Sequence, residues 1–209
     1  MVSAEEIIRF ARDIGFSHVG ELDAGGLVPM DEVREMCASG RCKAYGRLWS
    51  CPPACGSIEF TTKRIRQFDT AVIVQTTGTL DDDFDAEAIF ETEQKHKRCF
   101  ETLSRRVRSM TDECLPLTAG GCRICLKCTY PDKPCRFPQR MLSSMEAYGL
   151  LVSDICLRAG LEYNYGARTI TYTSCILIKT GAKNHADTER NIPRTSETKR
   201  EAGTPAEAV

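Results

Sequence analysis

The spacing of four cysteines in the second half of the chain constrains its fold more than any other feature. Cys122, Cys125 and Cys128 follow one another at three-residue intervals, and Cys135 precedes Pro138 by three residues. Three thiols at this spacing can wrap one face of a cubane, each on a different iron, while a fourth closes the site. Structural zinc sites instead pair two short knuckles across a longer gap. The spacing favours a [4Fe–4S] cluster, with a zinc knuckle as the alternative.

A second set of four cysteines lies earlier in the chain. Cys37, Cys42, Cys51 and Cys55 lie within a span of nineteen residues, and two prolines follow Cys51 directly. This spacing matches no simple cluster rule, so zinc and a second [4Fe–4S] cluster both stay open. A third reading is an open site, in which one iron lacks a protein thiolate and binds a substrate or a partner. Cys37 or Cys55 would then be a neighbour of the site and not a ligand.

The other cysteines are isolated, and two of them, Cys156 and Cys175, fall in apolar contexts that predict small buried hydrophobic residues. The chain holds 12 cysteines in 209 residues, and its first residues lack the basic and apolar regions of a secretory signal. We therefore expect a reducing cytoplasm, where many thiols in one chain indicate metal or redox chemistry and not disulfides.

The charge balance narrows the classes of partner. The chain has 28 Lys and Arg residues against 29 Asp and Glu, so we expect no nucleic-acid partner. No run of eighteen apolar residues is present, so we expect no membrane span. Cations surround both cysteine sets and would offset cluster charge or dock an acidic redox partner, although ordinary surface charge explains any single one equally well. They are Arg34, Arg41, Lys43, Arg47, Arg123, Lys127, Lys133, Arg136 and Arg140.

Hydrophobic periodicity and capping residues predict the secondary structure. Helices are expected over residues 3–14, 57–68, 84–110 and 143–160, and strands over 17–22, 70–77, 115–118 and 168–178. This order predicts one compact α/β or α+β domain over residues 1–180, with a small mixed sheet, flanking helices and two cysteine-rich loops. Residues 181–209 have few apolar side chains, which predicts a disordered tail.

Both cysteine segments resemble a known family. The segment from Cys37 to Pro53, with Tyr45, Gly46 and Trp49, is similar to the signature of domain-of-unknown-function family 2284, the predicted metal-binding proteins. The stretch from residue 122 to residue 149 also resembles that family, and the similarity spans residues 5–180. It implies metal binding and iron–sulfur proteins of anaerobic metabolism, without a substrate. Residues 8–16 also resemble the start of iron–sulfur reductases such as epoxyqueuosine reductase.

Together these features predict an iron–sulfur protein that transfers single electrons, as a carrier or as a redox subunit, through a protein partner. Two alternatives stay open: an enzyme that uses an open-site cluster for reduction or sulfur handling, and a zinc-stabilised interaction module. The predicted ligands are Cys122, Cys125, Cys128, Cys135, Cys37, Cys42, Cys51 and Cys55.

Overall fold

A five-stranded mixed sheet forms the centre of the protein, whose computed structural model describes residues 2–181. The strands in chain order are β1 (His18–Asp23), β2 (Thr70–Thr79), β3 (Cys114–Thr118), β4 (Ser143–Ser144) and β5 (Thr169–Ile178). Their order in space is β1-β2-β5-β3-β4, and only the β3–β4 pair is parallel. The long central strands β2 and β5 pair over all ten positions, as expected for segments rich in β-branched residues.

Five α-helices flank the sheet: α1 (Ala4–Ile14), α2 (Asp31–Ala38), α3 (Ile58–Ile65), α4 (Ala86–Met110) and α5 (Val152–Arg158). Helices α1, α3 and α4 are each capped by a side-chain oxygen that accepts a hydrogen bond from a backbone N–H of the first turn. The capping residues are Ser3, Ser57 and Asp85. Helix α1 ends at Gly15, whose φ of 100° is the left-handed conformation that glycine adopts without strain.

Each face of the sheet buries its own apolar layer, because side chains alternate between the faces along a strand. On one face, Val72 and Val74 of β2 pack in a cluster with Phe100 of α4 and residues of α1. On the other face, Ala71 and Ile73 pack in a cluster that includes residues of α3 and α5. Burying one such Val, Ile or Phe side chain contributes roughly 1.5–3 kcal/mol to stability, so both layers hold the sheet firmly.

The structure confirms the predicted class, a single mixed α/β unit with flanking helices, and corrects two local predictions. The helix predicted over residues 143–160 is confirmed only over Val152–Arg158, and its first half is wrong. Ser143 and Ser144 instead pair with β3, and Ser144 Oγ accepts a hydrogen bond from the Ala147 amide at 3.1 Å. A single 3₁₀ turn spans Glu146–Tyr148, Gly149 then adopts a φ of 79°, and an α-helix begins only at Val152. Helix α2 is the second correction, since it places Cys37 in a helical turn and not in a loop.

The predicted tail lies, apart from Gly181, outside the described residues. Within residues 2–181, no helix combines the length and apolarity that crossing a bilayer requires.

Candidate metal centre

The first cysteine set runs from the last turn of α2 to the start of α3. Cys37 is half-buried and Cys42 is exposed, whereas the side chains of Cys51 and Cys55 are only 5% and 9% exposed. The amide of Cys55 donates to the carbonyl of Cys51 at 3.1 Å, and the Cys51 amide donates to the carbonyl of Leu48 at 3.2 Å. These consecutive turns coil the loop and carry its two buried thiols inward.

The four thiols of this set interact electrostatically. Burial raises the pKa of Cys51 to about 11, the Ser50 hydroxyl at 3.8 Å opposes the rise, and the other three thiols add to it. Burial also raises the pKa of Cys37, and the nearby Cys42 and Cys55 raise it further. The structure therefore brings all four predicted residues of the first set into one neighbourhood, where their thiolates would repel one another without a cation.

Arg34 of α2 supplies one positive charge to this set. Its Nη2 lies 3.9 Å from Cys55 Sγ, and the same sulfur lies 3.5 Å from the Ala147 carbonyl oxygen. Burial raises the pKa of Cys55, while the Arg34 guanidinium lowers it. Of the predicted cations, Arg34 is thus in direct contact with a candidate ligand.

The second cysteine set lies in the long loop between β3 and β4. All four of its thiols are half-buried, and Cys122, Cys125, Cys128 and Cys135 line a single cavity. Apolar side chains complete the wall of this cavity, among them Ile124, Phe137 and Met141 of the same loop and Leu48 and Trp49 of the first cysteine loop. The four thiols of the second predicted set therefore line one small common space of about 20 Å³.

The two cysteine loops are fastened to each other. Ser50 Oγ accepts a hydrogen bond from the Cys122 amide at 3.2 Å. The Trp49 indole N–H donates to the carbonyl of Lys133 at 3.0 Å, and its ring packs edge-on against Tyr130 with centroids 5.0 Å apart. Neither Ser50 nor its role was predicted, because its partner lies 72 positions away and leaves no local signal.

Close packing between the two cysteine loops also explains why residue 121 is a glycine. A Cβ atom on Gly121 would stand 2.8 Å from the Leu48 Cδ1 and 3.6 Å from Cys51 Sγ. The first distance is too short for ordinary contact, so a side chain at this position would force the Leu48 side chain to move. The same 3.6 Å shows that a thiol of the first set lies beside the residue that precedes the second set.

A buried polar group braces the start of the second loop. His96 of α4 is fully buried, its Nδ1 lies 2.9 Å from Thr76 Oγ1, and its Nε2 lies 2.7 Å from Ser174 Oγ. Ser174 Oγ also accepts a hydrogen bond from the Ala119 amide at 2.9 Å. Burial lowers the pKa of His96 to about 3, so the imidazole is neutral at pH 7.

The donor set fits the group that the sequence predicts. All twelve cysteines are free thiols, and eight of them belong to the two sets. Within residues 2–181, no three His, Cys, Asp or Glu side chains converge tightly enough for a single metal ion. A cubane binds its thiolates through separate irons, which spreads the sulfurs more widely than one ion does, so tight convergence is not a requirement for a cluster.

This fold and these two thiol sets define a mixed α/β protein with its cysteine-rich loops joined on one side of a small sheet. The chain belongs to the predicted metal-binding protein family DUF2284, whose model matches residues 20–178. The family predicted from the cysteine segments is thereby confirmed.

Among solved structures, epoxyqueuosine reductase from Streptococcus thermophilus resembles the chain with a TM-score of 0.36 and 15% sequence identity. The likeness covers 85% of this chain and 46% of that enzyme, so the chain spans less than half of the enzyme's length. A likeness at this level assigns no function. No curated protein matches the chain in sequence.

Proposed function

We propose that this chain is an iron–sulfur protein that transfers single electrons. Cys122, Cys125, Cys128 and Cys135 are the proposed ligands of a [4Fe–4S] cluster. The observation that carries the proposal is the single small cavity that all four of these thiols line, together with Leu48, Trp49 and Ser50 of the first cysteine loop. Membership of a family described as metal-binding supports it. A bound cluster would supply reversible one-electron exchange.

Cys37, Cys42, Cys51 and Cys55 are the proposed ligands of a second centre, which we expect to be another [4Fe–4S] cluster. Its support is the turn of the first cysteine loop in which Cys51 and Cys55 are both buried, and the Arg34 guanidinium 3.9 Å from the Cys55 sulfur. The influence of the other three thiols on the pKa of Cys51 agrees with it. The contact between Ser50 and the Cys122 amide joins the two loops directly, so the two centres would lie side by side. Such a pair could accept one electron from a reduced protein and pass it to an oxidised one.

The chain's own residues would shield and tune these centres. The Trp49 ring and the Leu48 side chain lie on the wall of the second cavity, where they exclude water. The Arg34 guanidinium beside Cys55 offsets negative charge at the first set. Leu126, next to Cys125, is fully exposed, and with the exposed Lys127 it offers an apolar and basic contact point for an acidic redox partner.

Anaerobic purification followed by iron, sulfide and zinc analysis tests the proposal. Two clusters predict about eight irons and eight sulfides per chain, a brown colour, and a spectrum that bleaches on reduction. About four irons, four sulfides and one zinc per chain would indicate one cluster and a zinc ion. The electron-transfer role would then stand, with zinc in place of the cluster proposed at the first cysteine set. A colourless protein that holds about two zinc ions and no sulfide would show a zinc-stabilised interaction module instead.

One observation favours a second candidate function: an enzyme that either reduces its own substrate or transfers sulfur to it. A groove of about 640 Å³ is bordered by Cys55 of the first set and Cys135 of the second. Its other walls include the aromatic rings of Trp49, Phe60 and Tyr148. If Cys55 is a neighbour and not a ligand, Cys55→Ser retains full iron, and cyanide changes the cluster spectrum. A loss of iron in this variant and a spectrum unaffected by cyanide would remove the enzyme candidate.

A further inference from the structure

Another cavity lies between α4 and the second cysteine loop, next to the small cavity that the four thiols of the second set line. Its volume is about 280 Å³. One face of α4 forms its floor, because the helical residues that line it recur every three or four positions from Gln94 to Arg108. The loop supplies the opposite wall through Gly121, Cys122 and Ile124.

The walls of this cavity are strongly basic. Glu101 is the single carboxylate among its lining residues, against six cations: Lys97, Arg98, Arg105, Arg108, Arg123 and Arg140. Concave walls of low dielectric concentrate the field of such charges and attract anions.

Acidic neighbours compensate only half of these cations. Lys97 and Arg123 share the carboxylate of Glu93, and Arg140 Nη2 lies 2.9 Å from Glu101 Oε1. Within residues 2–181, Arg98, Arg105 and Arg108 form no ion pair with a carboxylate. Arg108 Nη1 donates a hydrogen bond to the Gln139 carbonyl at 2.6 Å. Among the described residues, Arg98 and Arg105 are therefore the two lining guanidinium groups whose donors are left for a ligand of opposite charge.

A buried hydroxyl on the same face also lacks a partner. Ser104 is 2% exposed, it lines the cavity, and its Oγ has no hydrogen-bond partner among the described residues. A buried hydroxyl without a partner is destabilising, and native proteins satisfy nearly all such groups with protein, water or ligand atoms. An oxygen of a bound molecule would complete this site.

We propose that this cavity binds a small molecule that carries oxyanions, a phosphate or a polycarboxylate. Its volume matches the lower end of small-molecule sites. The Arg98 and Arg105 guanidinium groups bind the anion, Arg108 adds its positive charge while Gln139 holds its Nη1, and the Ser104 hydroxyl hydrogen-bonds one of the anion's oxygens. The bound anion lies against Cys122, beside the proposed cluster. Its binding depends on the arginine side chains and Ser104 and does not require the cluster.

Calorimetric titration of the purified, metal-loaded protein with inorganic phosphate, pyrophosphate and citrate tests this site. The Arg98→Gln/Arg105→Gln double variant should weaken binding at least about tenfold, because charge-assisted bonds are lost. Arg106→Gln is the matched control, since Arg106 lies on the same helix but stacks on the Phe10 ring of α1, 3.6 Å from its centroid. It should change the affinity less than about twofold.

Ser104→Ala separates ligand binding from a structural role. It should weaken anion binding several-fold without lowering the thermal midpoint of the ligand-free protein, because the removed hydroxyl makes no bond there. Tighter binding of citrate than of phosphate and pyrophosphate identifies a polycarboxylate site, and the reverse order identifies a phosphate site. No saturable binding of any of the three, or equal weakening by Arg106→Gln, would overturn the proposal, whatever the iron analysis shows.

Discussion

Ser174 Oγ lies 2.7 Å from His96 Nε2, in a part of the core where both side chains are fully buried. The same oxygen accepts the amide hydrogen of Ala119, three residues before Cys122. One hydroxyl on β5 therefore joins the middle of α4 to the point where the second cysteine loop leaves β3. The position of the loop depends on this polar link as well as on apolar packing.

Replacing Ser174 with alanine should destabilise the protein. The change leaves the half-buried Ala119 amide and one nitrogen of the buried imidazole without partners, which costs about 1–3 kcal/mol of unfolding free energy. Ser39→Ala is the control, because the Ser39 hydroxyl bonds only an exposed helix carbonyl and should change stability by less than about 0.5 kcal/mol. Urea denaturation measures both variants. Equal stabilities would show that the link does not contribute.

His96 should make stability depend on acidity. Burial lowers its pKa to about 3 in the folded protein, from a value of 6.5 that applies when it is solvated. Between these values the unfolded chain binds a proton that the folded chain does not, so the free energy of unfolding falls as the pH decreases from 6.5. The slope approaches about 1.4 kcal/mol per pH unit below the upper value.

The variant His96→Gln isolates this contribution, because every other titrating group is common to both chains. Its stability deficit relative to the unmodified protein should be largest at pH 7 and should shrink towards pH 4.5. Urea denaturation across this range gives the two curves. A deficit that stays constant with pH would mean that His96 titrates normally in the folded state.

Single cysteine replacements should remove one proposed centre at a time. Cys125→Ser should lower the iron and sulfide content by about half, and Cys51→Ser should remove the other half, because each thiolate binds its own iron. Cys114→Ser is the matched control: this half-buried cysteine belongs to neither set and should leave the metal content unchanged. Full iron content in Cys125→Ser would show that its ligand role is misassigned.

Trp49 is the single tryptophan of the chain and lines the cavity shared by the four thiols of the second set. A cluster absorbs at the wavelengths where indole emits, so cluster loading should quench Trp49 fluorescence several-fold, and chelation under denaturing conditions should restore it.

A relocated tryptophan provides the comparison for this measurement. In a Trp49→Phe background, Phe84→Trp places the indole at a position that is 91% exposed, ahead of α4. Its emission should respond much less to loading. Similar quenching at both positions would contradict the placement of Trp49 beside a cluster.

Local patterns were sufficient for most of the fold. The Ser3 cap and apolar periodicity predicted α1, a run of β-branched residues predicted β2, and alternation with period two predicted β5, because these elements depend on neighbours in sequence. The same reasoning failed after residue 143. Ser143 lies where a capping box fits, but pairing with β3 and burial of residues 143–145 and 147–150 outweigh that local preference.

The candidate site divides in the same way. Cysteine spacing predicted two sets of four, since residue types and intervals are visible in the sequence. The structure places the second set along one cavity, and the role of all eight thiols as ligands stays a prediction. The contact of Trp49 with Lys133 and that of Ser50 with Cys122 were not predictable, because each joins two distant loops. The unpartnered hydroxyl of Ser104 was not predictable either, because its burial depends on which face of α4 the second cysteine loop packs against.

The contacts between the two cysteine loops set an order for assembly of the protein. They join residues 72 and 84 positions apart, so the chain must close long loops before they form. Cys122, Cys125 and Cys128 need only their own short segment to approach one another. A newly made chain can therefore present three thiols early, whereas Trp49 covers them only after the sheet between the loops has paired. The proposed cluster would be inserted most easily in that interval, before Trp49 lies against the thiols.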